Sequence, residues 1–237
     1  MPTATQIDFS TTELADSYTG FYAKIVDDVF TLEECRALVD LAASAEGGWQ
    51  AVGESDPNTQ RDSPSNFRYC QRILRFDEET ANTVFERLKP FVEDDLSVID
   101  SKSKWAGIAG KVGRKYGPTW ELRGVNSRLS FLKYSAGHFF QPHCDGLVNV
   151  DNLKSFVTLH LYLTDRDISR EGFDGTLNGG CTRFWTPNKK HYLDVEPKVG
   201  RVLIFQQRML VHSGEPVSDG FKYTMRSDFM FEMTKTQ

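Results

Sequence analysis

Three residues of this chain combine the side chains and the spacing needed to hold one metal ion. His143 and Asp145 are separated by one residue, so on a strand both side chains face the same side. His212 lies much later, shortly after the apolar run VLIF and just before Ser213-Gly214. Two imidazoles and one carboxylate that leave coordination positions open form the ligand set of non-haem Fe(II) oxygenases. The His-x-Asp pair alone is weak evidence, since 33 acidic residues make such a pair common by chance.

A cation is needed if the metal shares its site with an oxoacid such as 2-oxoglutarate, because the distal carboxylate must be neutralised. Lys222 begins the last alternating segment, and Thr224 and Arg226 share its face. We prefer Lys222 to Arg226 as the carboxylate partner, although either can be a surface cation. Tyr134 and Tyr162 can donate hydroxyl hydrogen bonds to the same carboxylate, or can be core residues with their hydroxyls satisfied locally.

The other three histidines have less specific interpretations. We expect His138 in the turn before the metal site and His191 on the surface. His160 lies on the polar face of an alternating segment. Two interpretations of His160 stay open: an interior histidine with satisfied hydrogen bonds, or a contact to the metal ligands or the substrate.

Composition excludes several classes of function. The 237 residues carry a formal net charge of −5 and no basic run, which argues against a nucleic-acid partner. No apolar stretch approaches the roughly 18 residues of a membrane span, and the N-terminus has no secretory pattern, so we expect a cytoplasmic protein. The four cysteines form no CxxC pair and are expected to be small buried thiols instead of zinc ligands.

The N-terminal half reads as a mixture of helices and strands. Thr31 followed by Glu34 is a capping box, which predicts a helix over residues 32 to about 45. A second helix is predicted from residue 77 to about 92, with Pro90 kinking or breaking its last turn. Strands are predicted at residues 22–30 and 69–76, residues 1–20 are expected to be loosely held, and residues 100–124 fit no element clearly.

From Asn126 onward the pattern changes to short alternating runs. Residues 155–163 place Val157, Leu159 and Leu161 on one face, and residues 222–232 alternate in the same way. Several such strands separated by turns predict a β sandwich or barrel. The opposite face of residues 155–163 carries polar groups, which are costly to bury without partners, so a functional site is expected inside the β structure.

The C-terminal half resembles the prolyl 4-hydroxylase-type 2-oxoglutarate/Fe(II) dioxygenases. The residues that carry the resemblance are the segments GVNSRLSFLKYSAGHFFQPHCDG, TLHLYLTD, GGCTRFW, YLDVEPKVGRVLIFQQRMLVHSGEPV and GFKYTMRSDFMFE, with VDDVFTLEECRALVDLA as a lead-in strand and helix. The resemblance implies a mainly β fold, a double-stranded β-helix (jelly roll) with supporting N-terminal α-helices. We therefore expect one dioxygenase domain over residues 1–237, with support in 1–123 and the core in 124–237.

The resemblance also implies a reaction and a set of roles. Fe(II), 2-oxoglutarate and O2 would oxidise an unactivated C–H bond by hydroxylation, desaturation or ring formation, with release of succinate and CO2. Lys222, Tyr134 and Tyr162 would contact 2-oxoglutarate, and Phe140 and Thr182 would line the pocket near the metal. The carboxylate Asp145 argues against a halogenase, because those relatives lack it.

The substrate is the least determined property. We favour an amino acid or small metabolite over a protein, with a peptidyl-prolyl 4-hydroxylase as the alternative and a non-catalytic cupin-like binding module as a third, weaker interpretation. Arg128 and His160 are the expected substrate contacts. Residues 52–67, 103–120, 146–153 and 165–180 are candidates for specificity loops around the mouth of the barrel.

Overall fold

The computed structural model describes residues 1–53, 67–110, 117–164 and 177–234. Its α-helices are α1 (Ala15–Tyr18), α2 (Leu32–Ala43) and α3 (Glu78–Leu96), and short 3-10 helices lie at Phe9–Thr11 and Ala106–Ala109. The strands that precede the predicted β core are β1 (Thr3–Gln6), β2 (Ala23–Asp27), β3 (Gln50–Val52), β4 (Arg68–Phe76), β5 (Val98–Ile99) and β6 (Thr119–Val125).

The remaining strands form the β core. They are β7 (Arg128–Tyr134), β8 (Phe139–His143), β9 (Asn149–Val150), β10 (Leu153–Tyr162), β11 (Asn178–Gly179), β12 (Thr182–Trp185), β13 (Tyr192–Val195), β14 (Val202–Gln206), β15 (His212–Gly214), β16 (Val217–Asp219) and β17 (Lys222–Thr234).

The strands wrap into two layers that β4 connects. One layer has the order β1-β2-β14-β10-β17-β7-β4, and the other continues from β4 through β8, β15, β12 and β13. The first residues of β4 pair with β8, whereas its later residues pair with β7. The predicted mainly β, jelly-roll architecture is therefore confirmed, with α2 and α3 as the supporting helices.

The alternation of residues along the strands separates a helix-covered face from an interior face. Leu159, Met225 and Phe131 belong to the apolar cluster that includes Val84 and Leu88 of α3. Their neighbours in sequence point into the space between the two layers, because successive strand residues face opposite sides. The interior face of β10 consequently carries Thr158, His160 and Tyr162, as the alternation predicts.

The capping box predicted for α2 is present. The Thr31 hydroxyl accepts a hydrogen bond from the Glu34 backbone N–H, and the Glu34 carboxylate accepts one from the Thr31 N–H. Glu34 also forms an ion pair with Arg87 of α3, which joins the two helices. The burial of Cys35 and Val39 places one face of α2 in the core.

Two expectations about the N-terminal half are wrong. Residues 1–20 are not loosely held, because β1 pairs with β2 and the side chains of Phe9, Leu14 and Tyr18 are buried. Helix α3 is also not broken at Pro90: it continues to Leu96, with Val92 and Leu96 buried, although a proline nitrogen cannot donate the usual helical hydrogen bond.

The indistinct region 100–124 contains a short helix and the start of a strand. Ala106–Ala109 forms one turn of 3-10 helix, and Thr119–Val125 pairs with β17. Of the candidate specificity loops, 146–153 contains β9, whereas 54–66, 111–116 and 165–176 lie outside the described residues. Within the described ranges, no helix has the length and apolar character needed to cross a membrane.

Candidate active site

The candidate metal ligands meet where β8 and β15 pair. His143 is the last residue of β8 and lies directly opposite His212, the first residue of β15. The loop after β8 brings Asp145 to the same point, 3.7 Å from His143 Nε2 and 3.8 Å from His212 Nε2. One ligand atom from each of the three residues lies within 4.8 Å of the others, so the three residues can share one metal ion.

Backbone carbonyls orient both imidazoles toward the carboxylate. His143 Nδ1 lies 2.7 Å from the Gln141 carbonyl oxygen, and His212 Nδ1 lies 3.1 Å from the Leu210 carbonyl oxygen. A carbonyl only accepts hydrogen bonds, so each Nδ1 carries a proton and Nε2 is the nitrogen that is left to bind a metal. The Phe140 ring stacks on the His143 ring at 3.7 Å and restricts its rotation. This tautomer and orientation are those that a metal-binding histidine needs.

Two neighbours fix the carboxylate of Asp145. Thr158 Oγ1 donates a hydrogen bond of 2.6 Å to Asp145 Oδ2, and Arg226 Nη2 lies 3.2 Å from the same oxygen. Burial alone would raise the pKa of the Asp145 carboxyl, but the charge of Arg226, followed by the interaction with the His212 imidazole, which is charged only in acid, holds the pKa well below its usual value. Asp145 is therefore ionised and ready to bind a cation.

Burial keeps His212 neutral. Its desolvation lowers the pKa to about 4, even though the adjacent Asp145 carboxylate favours the charged form. At neutral pH the ring is thus uncharged and its Nε2 can donate a lone pair to a metal. Two imidazoles, of which His212 is neutral, and one ionised carboxylate, with no fourth protein ligand in the cluster among the described residues, fit Fe(II) with open positions.

A cavity of about 300 Å³ opens over the triad and extends between the two layers. Its walls come from the interior faces of β4, β7, β10 and β17 and from the ends of β8 and β15. Besides the triad, the lining residues that carry charge, polarity or bulk are Arg68, Arg72, Arg128, Ser130, Tyr134, Phe140, Thr158, His160, Thr182, Phe205, Lys222 and Arg226.

Residues 129–227 match the family described as the 2OG-Fe(II) oxygenase superfamily. The match includes His143 on β8, Asp145 in the following loop, His212 on β15 and Lys222 on β17. The chain is a 2-oxoglutarate-dependent Fe(II) oxygenase. Iron and 2-oxoglutarate are accordingly its metal and co-substrate.

Solved structures share the fold of this oxygenase. A Pseudomonas putida prolyl-4-hydroxylase superposes with a TM-score of 0.54 at 16% identity, and 96% of each chain is covered. The 2OG complex of a viral collagen prolyl hydroxylase from Paramecium Bursaria Chlorella virus-1 has a TM-score of 0.53 at 18% identity, covering 90% of this chain and 97% of the other. No curated protein sequence matches the chain. The fold expected from the prolyl 4-hydroxylase-type resemblance is thus confirmed.

The two candidate cations of the oxygenase lie in different surroundings. The Lys222 side chain is 2% exposed and lies over the rings of Tyr134 and Tyr162, at 5.3 Å and 5.6 Å. No acidic side chain of the described residues pairs with its ammonium. Burial lowers the pKa of Lys222 to about 8. Arg226, by contrast, lies 3.2 Å from Asp145 and 3.1 Å from Asp228, so its charge is already compensated.

The tyrosines and Thr224 occupy distinct places near Lys222. Tyr134 lines the cavity, and burial raises the pKa of its phenol, which stays a hydrogen-bond donor. Tyr162 does not line the cavity; its hydroxyl donates to Thr182 Oγ1 at 2.6 Å, and Thr182 faces the cavity instead. Thr224 is buried, and its Oγ1 has no partner among the described residues.

The remaining predicted residues are distributed between cavity and surface. Arg128, Phe140, His160 and Thr182 all line the cavity. Burial, then the charges of Lys222 and Arg226, lowers the pKa of His160 well below its usual value, so this ring is neutral. His138 lies in the turn after β7, as expected, and His191 is half-exposed beside Glu13. Cys35, Cys70 and Cys181 are buried, whereas Cys144, expected to be buried, is exposed.

Several functional candidates escaped prediction from the sequence. Thr158 fixes Asp145, and its place beside His160 on the interior face of β10 was a usable signal. Arg68 is the first residue of β4 and Arg72 lies four residues further along the strand. The sequence predicts a strand here, at residues 69–76, but no functional role for either arginine. Nothing local indicates that β4 borders the cavity, because its pairing with β7 and β8 joins residues distant in sequence.

Proposed function

We propose that His143, Asp145 and His212 hold Fe(II), that Lys222 binds the distal carboxylate of 2-oxoglutarate, and that the oxygenase oxidises a C–H bond of an amino acid or small metabolite. The observation that carries this proposal is the pairing of a preorganised triad with a buried, uncompensated ammonium on the wall of the same cavity. Burying an unpaired cation is costly, and an anionic co-substrate removes that cost.

Fe(II) held by His143, Asp145 and His212 would supply the oxidising chemistry, in which O2 and 2-oxoglutarate would be consumed and succinate and CO2 formed. The residues of the chain orient the reactants. Thr158 and Arg226 hold Oδ2 of Asp145, which fixes the carboxylate with Oδ1 3.7 Å from His143 Nε2 and Oδ2 3.8 Å from His212 Nε2. Tyr134 lies beside Lys222, and its hydroxyl can donate a hydrogen bond to the distal carboxylate of 2-oxoglutarate. Thr182 Oγ1 accepts a hydrogen bond from the Tyr162 hydroxyl, which holds the Thr182 side chain in one rotamer in the cavity wall.

A small-molecule substrate is supported by the dimensions of the site. A cavity of about 300 Å³ is in the range of small-ligand pockets. A peptidyl-prolyl substrate is the second candidate, because the fold is shared with prolyl hydroxylases, including one from Trichoplax adhaerens in complex with a hypoxia inducible factor peptide fragment. Succinate formation stimulated by free amino acids and metabolites, but not by prolyl peptides, supports the first candidate; the reverse result overturns it.

Substitution of the triad tests the metal site. Anaerobic protein with Fe(II) and 2-oxoglutarate is expected to show a weak visible charge-transfer band and, in air, to form succinate. His143→Ala and His212→Ala should remove the band and weaken iron binding, because each deletes one of only three protein ligands. His191→Ala, at a half-exposed histidine outside the cavity, is the matched control and should retain both. Iron affinity unchanged in the two triad variants would contradict the assignment.

A further inference from the structure

The cavity of this oxygenase has far more positive charge than its metal and co-substrate require. Five cationic side chains and one carboxylate, Asp145, line it. Fe(II) and 2-oxoglutarate bring equal and opposite charges, so their binding leaves this excess in place. The protein as a whole has a net charge of −5. A positive cavity in an acidic protein indicates a local preference for anions.

Two of the five cations already have functions in the proposed site. Arg226 compensates Asp145 and Asp228, and Lys222 is assigned to 2-oxoglutarate. The other three are Arg68, Arg72 and Arg128, which we call the arginine cluster. No acidic side chain lies within ion-pair distance of these three arginines in the part of the chain that the structure describes. Their charge is therefore available to a ligand.

The arginine cluster is built by the pairing of β4 with β7. Arg72 lies opposite Leu132, and Arg128 lies opposite Phe76, with all three arginines on the interior face. Burial, followed by the charges of Arg68 and Arg128, lowers the pKa of Arg72, which reflects like charges held close together. Mutual repulsion of this kind costs free energy that an anion bound between the guanidinium groups would recover.

The arginine cluster also reaches the metal site. The Arg68 guanidinium lies 4.6 Å from the centre of the Phe140 ring, and the same ring stacks on the His143 imidazole at 3.7 Å. A ligand held by the cluster is consequently adjacent to the triad. Guanidinium groups bind carboxylate and phosphate oxygens in pairs, which fixes orientation as well as charge.

We infer that the arginine cluster is the substrate subsite and that the primary substrate is a small acid, bound through a carboxylate or another anionic oxygen group. This inference rests on the proposed function, and it adds the chemical class of the substrate. A neutral prolyl residue within a peptide would leave three cavity cations uncompensated.

The test compares acids with their neutral amides on the loaded enzyme. Protein carrying Mn(II) and 2-oxoglutarate is titrated with free amino acids and small carboxylic acids, each paired with its primary amide, and with O-phosphoserine as a phosphate source. Thermal melting reports binding, and succinate formation by the Fe(II) enzyme reports turnover. Acids should act at concentrations roughly tenfold to a hundredfold below their amides, the range expected for a charged hydrogen-bond partner.

Arginine variants locate the effect. Arg72→Gln and Arg128→Gln should raise the half-saturating concentration of the acid by a similar factor, and the charge-transfer band should persist in both. Arg75→Gln is the matched control, because Arg75 is on the same strand, faces away from the cavity and pairs with Asp77. It should change the half-saturating concentration by less than about twofold.

Each result supports or contradicts the assignment of the arginine cluster as the substrate subsite. Amides or neutral prolyl peptides that act as well as acids overturn the inference, as do Arg72→Gln and Arg128→Gln variants with unchanged half-saturation. If no compound binds, inorganic sulfate is used as the anionic probe. Sulfate should raise the melting temperature of wild type and of Arg75→Gln, but not of Arg72→Gln. Any other pattern of melting temperatures overturns the inference. If wild-type protein with Fe(II) and 2-oxoglutarate shows no charge-transfer band, the proposed function is refuted instead.

Discussion

At the scale of single residues, Lys222 and Arg226 share one face of β17 but differ in how their charges are compensated. Arg226 is held between two carboxylates, whereas Lys222 is surrounded by aromatic rings and has a pKa lowered by burial to about 8. A bound carboxylate would restore the charged form of Lys222, because opposite charges favour ionisation. The two cations are therefore expected to respond differently to pH and to substitution.

The apparent affinity for 2-oxoglutarate should fall as the pH rises through about 8, because the free enzyme then loses the Lys222 ammonium proton. Lys222→Arg should flatten this dependence, since guanidinium stays charged. Lys222→Met should weaken binding roughly tenfold or more at every pH. Titration followed by the charge-transfer band measures all three. If Lys222→Met is harmless while Arg226→Gln abolishes binding, Arg226 is the carboxylate partner.

At the scale of elements, the local sequence predicts where helix α2 begins but not where helix α3 ends. Thr31 and Glu34 form the capping box that the sequence predicts, because its hydrogen bonds join residues three apart. The continuation of α3 beyond Pro90 depends on burial against β6 and the core, which no local pattern states. Helix α2 contacts β4, so the cap also supports the strand that carries Arg68 and Arg72.

Thr31→Ala should lower the free energy of unfolding by about 1 kcal/mol, the usual cost of losing a helix N-cap. Chemical denaturation measures the change. Thr83→Ala is the control, because Thr83 is an exposed residue inside α3 and alanine has the higher helix propensity there. It should leave stability unchanged or slightly increased. A loss in Thr83→Ala equal to that in Thr31→Ala would mean that capping is not the cause.

At the scale of the whole molecule, two buried histidines couple folding to pH. His212 has a pKa of about 4 and His160 a pKa well below its usual value, both through burial, whereas an unfolded histidine titrates near 6.5. Below pH 6.5 the unfolded chain takes up protons that the folded protein does not. Acid must therefore destabilise the metal-free fold in this window.

The free energy of unfolding of the metal-free enzyme should fall between pH 6.5 and 5, by at most about 1.4 kcal/mol per pH unit for each of the two histidines. Urea denaturation in the presence of a chelator measures this slope. His160→Gln should reduce the slope, because glutamine does not titrate, and His191→Gln at the half-exposed site should not. Equal slopes in wild type and His160→Gln would show that His160 is not buried in the neutral form.

The sequence by itself determined the properties that depend on short spacing. Alternation assigned Thr158, His160 and Tyr162 to one face of β10, because strand geometry has a period of two residues. The short spacing of His143-x-Asp145 placed two ligands together, although Asp145 lies in the loop after β8 and not on the strand. Only the tertiary structure decided which cation is free and which strands border the cavity. Asp145 and Asp228 compensate Arg226, and the pairing of β4 with β7 assembles the arginine cluster. Such contacts join residues far apart in sequence, and they form only when the sheet closes around its core.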